Sequence, residues 1–202
     1  MSAHRERRHD FERTIAAGGV VVFPADTVYG LACDPGSVSA VARLYSLKGR
    51  PQDKPAAVMF FALAPALAAL PELGPRTRAA LERLLPGAVT LLLGNPERRF
   101  PLACRPDAAT LGLRVPDVPS LGAVRLPVLQ SSANASGGAD ARRLADVPEP
   151  IRAGADLVLD GGELPGTPST VVDLRRYEER GEWSVVRAGL VAPEAIATVL
   201  GP

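Results

Sequence analysis

Short β-branched or apolar runs recur along the chain, and the spacing between them changes from one end to the other. VVVF (20–23), AAVMFF (56–61) and VTLLL (89–93) are separated by stretches with room for helices, whereas VLQ (128–130) follows TLGLRVP (110–116) closely, and STVVDL (169–174) and WSVVRAG (183–189) follow DLVLD (156–160) more closely still. Parallel neighbours need a crossover of about a dozen residues or more, so closely spaced C-terminal runs must pair partly antiparallel. The sequence therefore predicts an α/β domain of the α+β type, with a twisted mixed parallel/antiparallel sheet and flanking helices. At 202 residues the chain fits one such domain.

Helical stripes fill the wider gaps. Residues 5–17 carry Phe11 and Ile15 at i, i+4 spacing and end at Gly18-Gly19. Ser37 is placed to cap a helix running to about Leu47, with Val38, Val41, Ala42 and Tyr45 as its apolar stripe. A further helix is expected over 75–85, carrying Leu81, Leu84 and Leu85. In TLGLRVP, alternation puts Leu111, Leu113 and Val115 on one face and Arg114 on the other.

Composition narrows the chemistry. The net charge of +1 gives no global field that would gather a polyanion, so any such binding must come from local arginine clusters. Both histidines, His4 and His9, lie in the basic start HRERRHD, which leaves a Ser-His-Asp triad, a Cys-His pair or a His-rich zinc site without an imidazole. Cys33 and Cys104 form no CxxC, there is no signal-peptide start, and no apolar run reaches about 18 residues. The expectation is a reduced, cytoplasmic, soluble protein with no membrane association.

The two lysines of the chain, Lys48 and Lys54, fall in one proline-braced segment, YSLKGRPQDKP (45–55), with Arg50 between them. Point-charge ammoniums beside a planar guanidinium suit a polyphosphate, although a solvated helix C-terminus would carry the same charges. SSANASGG (131–138) offers hydroxyls, an amide and two glycines, either as a cradle for an anion or as a Ser/Gly turn. Asp26, at a strand end, reads as a cap for neighbouring amides, or as a base or magnesium ligand. Neither a GxxxxGK[ST] loop nor a GxGxxG turn is present.

In their order, these segments resemble the YrdC/Sua5 family of threonylcarbamoyl-AMP synthases. PADTVYGL resembles the family's P-T-D/E-T-V-Y-G-L, KGRPQDKP its K-x-R-P-x-x-K-P, and LPGAVT its P-G-P-x-T. TLGLRVP is similar to the strand ending R-x-P, SSANASG to S-A-N-x-S-G, PSTVVD to P-S-T-V-V-D, and VVRAG to the final R-x-G. Ala25, Ala88, Met59 and Asp140 depart from residues common in the family.

The resemblance implies a YrdC-like domain over 10–200, with 1–9 as a basic N-terminal extension, and a concave positively charged cleft. It implies a nucleotidyltransferase that joins L-threonine, bicarbonate or CO2, and ATP into L-threonylcarbamoyladenylate, releases pyrophosphate and uses Mg2+. That adenylate serves the t6A modification of tRNA through a downstream transferase complex. Lys48 and Arg50 are then the expected catalytic pair, and Lys48, Arg50, Lys54, Thr110, Ser132, Asn134 and Arg187 the expected ATP contacts. Thr27, Arg114 and Ser169 are the expected threonine contacts, and no metal-ligating residue is expected. Two other readings stay open: a YrdC-like module that binds tRNA or double-stranded RNA, and a divergent paralogue that adenylates another carbamate.

Overall fold

A computed structural model describes residues 3–201 of the chain. Its elements run α1 (Ala3–Ala16), β1 (Val21–Pro24), β2 (Tyr29–Cys33), α2 (Val38–Leu47), β3 (Ala57–Met59), α3 (Leu63–Ala69), α4 (Pro75–Leu84), β4 (Val89–Gly94), β5 (Thr110–Arg114) and β6 (Val128–Ser132). After these come α5 (Glu149–Gly154), β7 (Leu157–Val158), β8 (Thr170–Asp173), α6 (Tyr177–Arg180), β9 (Ser184–Arg187) and α7 (Pro193–Leu200). The strands form one sheet in the order β7-β1-β2-β6-β3-β5-β4-β8-β9. It is mixed, as the spacing requires: β1/β7, β3/β5 and β4/β8 are parallel, and the remaining neighbours antiparallel.

Alternation along the strands divides the core. Val22, Leu31, Val58, Leu91, Leu93, Leu111, Leu113 and Leu129 point to one face, where α2, α4 and α7 bury Leu44, Leu81 and Ile196 against them. Their neighbours Val21, Phe23, Ala32, Met59 and Val128 point to the other face and meet Phe11 and Ile15 of α1. There Phe11, Phe23 and Phe61 stack edge to face, with centroids 5.3–6.2 Å apart. That second cluster covers only the β1 side of its face. Toward β5, β4, β8 and β9 the same face carries Thr110, Gly112, Arg114, Thr90, Val171 and Arg187 instead, and these line a cleft. The register fixes this: Met59 lies opposite Arg114, Ala57 opposite Gly112, and Val171 opposite both Thr90 and Arg187.

Several expectations need adjusting. In α2 the Ser37 hydroxyl does accept from Ala40 N–H (3.2 Å), but the buried residues are Ala40, Val41, Leu44 and Tyr45. At about 100° per residue, Val38 lies roughly 90° and Ala42 roughly 130° from the centre of that face, and both are exposed. All five residues of β2 are buried, so the strand shows no alternation by which sequence could reveal it. Helix α1 reaches back to Ala3, so residues 3–9 of the expected extension share an element with the domain; Met1 and Ser2 lie outside the described residues. Among the described residues no helix is long and apolar enough to cross a membrane.

Phe11 is fully buried and joins α1 to the sheet. Phe11→Ala should lower unfolding stability by about 3–5 kcal/mol, read from urea denaturation.

Candidate active site

The cleft has a volume of about 410 Å³, and its floor is the uncovered half of the sheet. Sheet register divides it lengthwise. Ala57, Gly112 and Leu92 form a central row of small or apolar residues. Thr110 and Ser132 sit two residues beyond that row on one side, and Arg114, Thr90 and Arg187 two residues beyond it on the other. At about 3.3 Å per residue the two ends are roughly 13 Å apart.

At the Arg114 end, Arg114 is only 3% exposed. Its Nη2 donates to Asp26 Oδ1 and to Thr27 Oγ1 (3.1 Å for the latter), while its Nε is buried without a partner. Burial pushes the Asp26 carboxyl up against the opposing pull of Arg114, and lowers Arg114 despite the same ion pair. For both partners, then, desolvation outweighs attraction. Asp26, read from sequence as a cap, base or metal ligand, is the counter-ion of Arg114. Ser169 Oγ pairs with Thr90 Oγ1 (2.8 Å), and Arg187 Nη2 donates to Ser169 O (2.7 Å). Strand β9 can come this close because residue 189 is glycine: a Cβ there would lie 2.3 Å from Pro168 O.

At the other end, Lys48 closes α2 and is 3% exposed. Its ammonium donates to Ser132 O, to Asn134 O (2.7 Å) and to Asn134 Oδ1 (3.0 Å), which uses all three of its hydrogens. Ser132 Oγ donates to Asn134 Oδ1 (2.6 Å), and Ser136 N–H to Lys48 O (2.8 Å). Lys48, Ser132 and Asn134 are therefore one hydrogen-bonded unit that fixes the SSANASGG loop to the end of α2. Burial first, and then the neighbouring Arg50 charge, push the Lys48 ammonium down to about 8.

Of the ten residues expected from the sequence, Thr27, Arg50, Thr110, Arg114, Ser132, Ser169 and Arg187 line the cleft. Lys48 lies behind the 131–138 loop that does, Asn134 of that loop turns its Oδ1 to Lys48 and away from the cleft lining, and Lys54 is exposed outside the cleft, contributing its backbone oxygen to the Tyr45 hydroxyl (2.7 Å). Residues not anticipated also line it, among them Arg105, Arg175, Gln130 and Thr90. A proline-rich, arginine-bearing passage holds Arg105, but nothing in that passage sets its direction. Cys104 is in the wall as well; burial pushes its thiol up to about 11, which leaves it protonated and unreactive near neutral pH.

Removing one partner of a buried ion pair leaves the other uncompensated. Arg114→Met should therefore lower unfolding stability by about 3–5 kcal/mol, and the double variant Asp26→Asn/Arg114→Met should recover much of that loss in the same denaturation experiment.

Comparison with known proteins accords with this architecture. The Sua5/YciO/YrdC family model, described as "Telomere recombination", matches residues 13–189. The threonylcarbamoyl-AMP synthase of Pyrococcus abyssi is 31% identical over 209 residues, covering 98% of this chain and 59% of the relative. That of Chromohalobacter salexigens is 34% identical over 189 residues, covering 88% and 98%. The crystal structure of P. abyssi Sua5 complexed with L-threonine superposes with a TM-score of 0.85 at 27% identity, over 100% of this chain and 59% of that one. Escherichia coli YciO has the same fold, with a TM-score of 0.78 at 23% identity over 97% and 95%. The chain thus spans 59% of the P. abyssi relative and 53% of a Bacillus subtilis one that is 30% identical. From the family match and the shared fold, the chain belongs to the Sua5/YciO/YrdC family.

Proposed function

We propose that this protein is a nucleotidyltransferase that makes L-threonylcarbamoyladenylate from L-threonine, bicarbonate and ATP, with release of pyrophosphate and water, for the t6A modification of tRNA. The observation that carries the reading is the convergence of Thr27, Arg114 and Ser169 with Arg50, Thr110, Ser132 and Arg187 on one cleft whose two ends differ in chemistry. Its relatives named threonylcarbamoyl-AMP synthase, and the relative solved with L-threonine, support the substrate.

In this reading the amino acid occupies the Arg114 end. Its carboxylate takes the donors of Arg114 that Asp26 and Thr27 leave free, so a two-point contact has to share the guanidinium with Asp26. The hydroxyls of Thr27 and Ser169 orient the amino acid's polar groups. Once the amine carries CO2 as a carbamate, a carbamate oxygen attacks the α-phosphorus over the low central row at Gly112, and pyrophosphate leaves toward the Ser132 end.

Attacker and leaving group are both anions, so the protein's task is alignment and fixed positive charge. Arg50 and the loop held by Lys48 supply that charge at the leaving-group end, and Arg187 supplies it beside Ser169. Mg2+ would supply further charge neutralisation on the phosphates. The donor set is compatible with this: Asp107 is committed to Thr110 Oγ1 (2.7 Å) and Ala109 N–H (3.0 Å), whereas Asp140 lines the cleft with no partner among the described residues and would hold the ion together with the phosphates.

The direct test is pyrophosphate release by the purified protein with each substrate omitted in turn. Release should require threonine, bicarbonate and ATP together, and Arg50→Ala should lower kcat/KM for ATP by about 100-fold or more with the fold unchanged. Release that persists without threonine would overturn the threonine assignment.

Lys48 yields a second expectation. With its value at about 8, the ammonium is half protonated near that pH in the free protein, and bound phosphates favour the charged form. Calorimetric titration with ATP at that pH, in buffers of different ionisation enthalpy, should show uptake of about half a proton, absent in Lys48→Met. Affinity for ATP should fall as pH rises through about 8.

A further inference from the structure

Two arginines share the leaving-group end of the cleft, and only one of them belongs to a recognised motif. Ala56 N–H donates to Ala103 O (2.9 Å), which brings the segment leading to Arg105 alongside the 50–55 loop. Both guanidiniums act on one reporter: Arg50 and Arg105 each oppose the upward effect of burial on the Tyr45 hydroxyl. Arg105 is half-buried, lines the cleft, and has neither a hydrogen bond nor an ion pair among the described residues. Asp107, the nearest acid in sequence, is tied to Thr110 and Ala109.

The other cleft arginines are more committed. Arg114 is paired with Asp26, Arg175 is held by both oxygens of Asp173, and Arg187 donates to Ser169. Arg50 donates through Nη2 to Pro55 O, and its Nε is buried without a partner. A buried guanidinium N–H left without an acceptor, as at Arg50 Nε, is costly, and beside it the half-buried Arg105 keeps its donors uncommitted; together they offer an anion unpaired donors at one end of the cleft. The lysine that sequence spacing would add to Arg50 there, Lys54, is exposed outside the cleft.

We propose that Arg105 is a further phosphate-contacting residue, forming with Arg50 a two-guanidinium clamp on the terminal phosphates of ATP and on the departing pyrophosphate. The inference rests on the nucleotidyltransferase reading. Two planar forks can share a diphosphate's oxygens in a way that one fork and one mobile ammonium cannot.

Binding of ATP, AMP and inorganic pyrophosphate is measured by calorimetry for the wild type, Arg105→Ala, Arg105→Gln and, as a surface control, Arg83→Ala. Both Arg105 variants should bind ATP and pyrophosphate at least tenfold more weakly and AMP within twofold of wild type, with an unchanged melting temperature and unchanged KM for threonine. Arg83→Ala should match the wild type throughout. Wild-type affinity for pyrophosphate in both Arg105 variants, or equal loss of AMP and ATP, would overturn the clamp while leaving the wider reading intact. Wild-type protein that binds neither ATP nor pyrophosphate would overturn that reading itself.

Discussion

A nine-stranded sheet has two faces to cover, and in this protein a single helix, α1, serves one of them. The site lies beyond the reach of α1 and of the segment carrying Leu121 and Val124, which packs on the same face. Where these pack, strand residues on that face are Val21, Phe23, Ala32 and Met59; where they do not, the same face carries threonine, glycine and arginine. Because adjacent strands are in fixed register, the polar residues of β5, β4, β8 and β9 cannot turn away from the cleft without turning their apolar neighbours out of the core on the opposite side. The buried half of the sheet thus holds the open half in place, and no separate scaffold is needed to aim Arg114.

The parts of this arrangement legible in the sequence are those governed by local periodicity. Alternation in TLGLRVP was enough to set Arg114 against the apolar face, and the shortening gaps between β-runs were enough to require a mixed sheet. Ordered motifs, through resemblance, also brought seven of the ten expected residues to one cleft. What stayed hidden depends on partners far along the chain. Nothing near Asp26 announces an arginine 88 positions away, nor does anything near Lys48 reveal that loop oxygens more than 80 residues on will absorb its donors. The fully buried β2 and the irregular Arg105 segment share a different difficulty, since neither carries a period that could be read.

Asp26 alters how the Arg114 end is understood. A guanidinium facing an open cleft would attract any passing anion, but this one is already neutralised and desolvated by a partner in the protein. An incoming anion must share the guanidinium with that partner, and the Thr27 and Ser169 hydroxyls beside it reward a ligand with further polar groups. Selectivity at such an end arises from fitting the donors that an existing pair leaves free more than from simple attraction.

Lys48 illustrates the opposite strategy at the far end. Its ammonium is held by amide and carbonyl oxygens, with no carboxylate in ion-pair contact among the described residues. Dipoles satisfy its hydrogens without cancelling its monopole, so below about pH 8 its charge is felt beyond the loop that covers it. The serine-rich loop in front therefore behaves as an electrode with an insulating skin: it presents neutral hydroxyls and amides to whatever enters, while the potential they sit in comes from a cation sealed behind them.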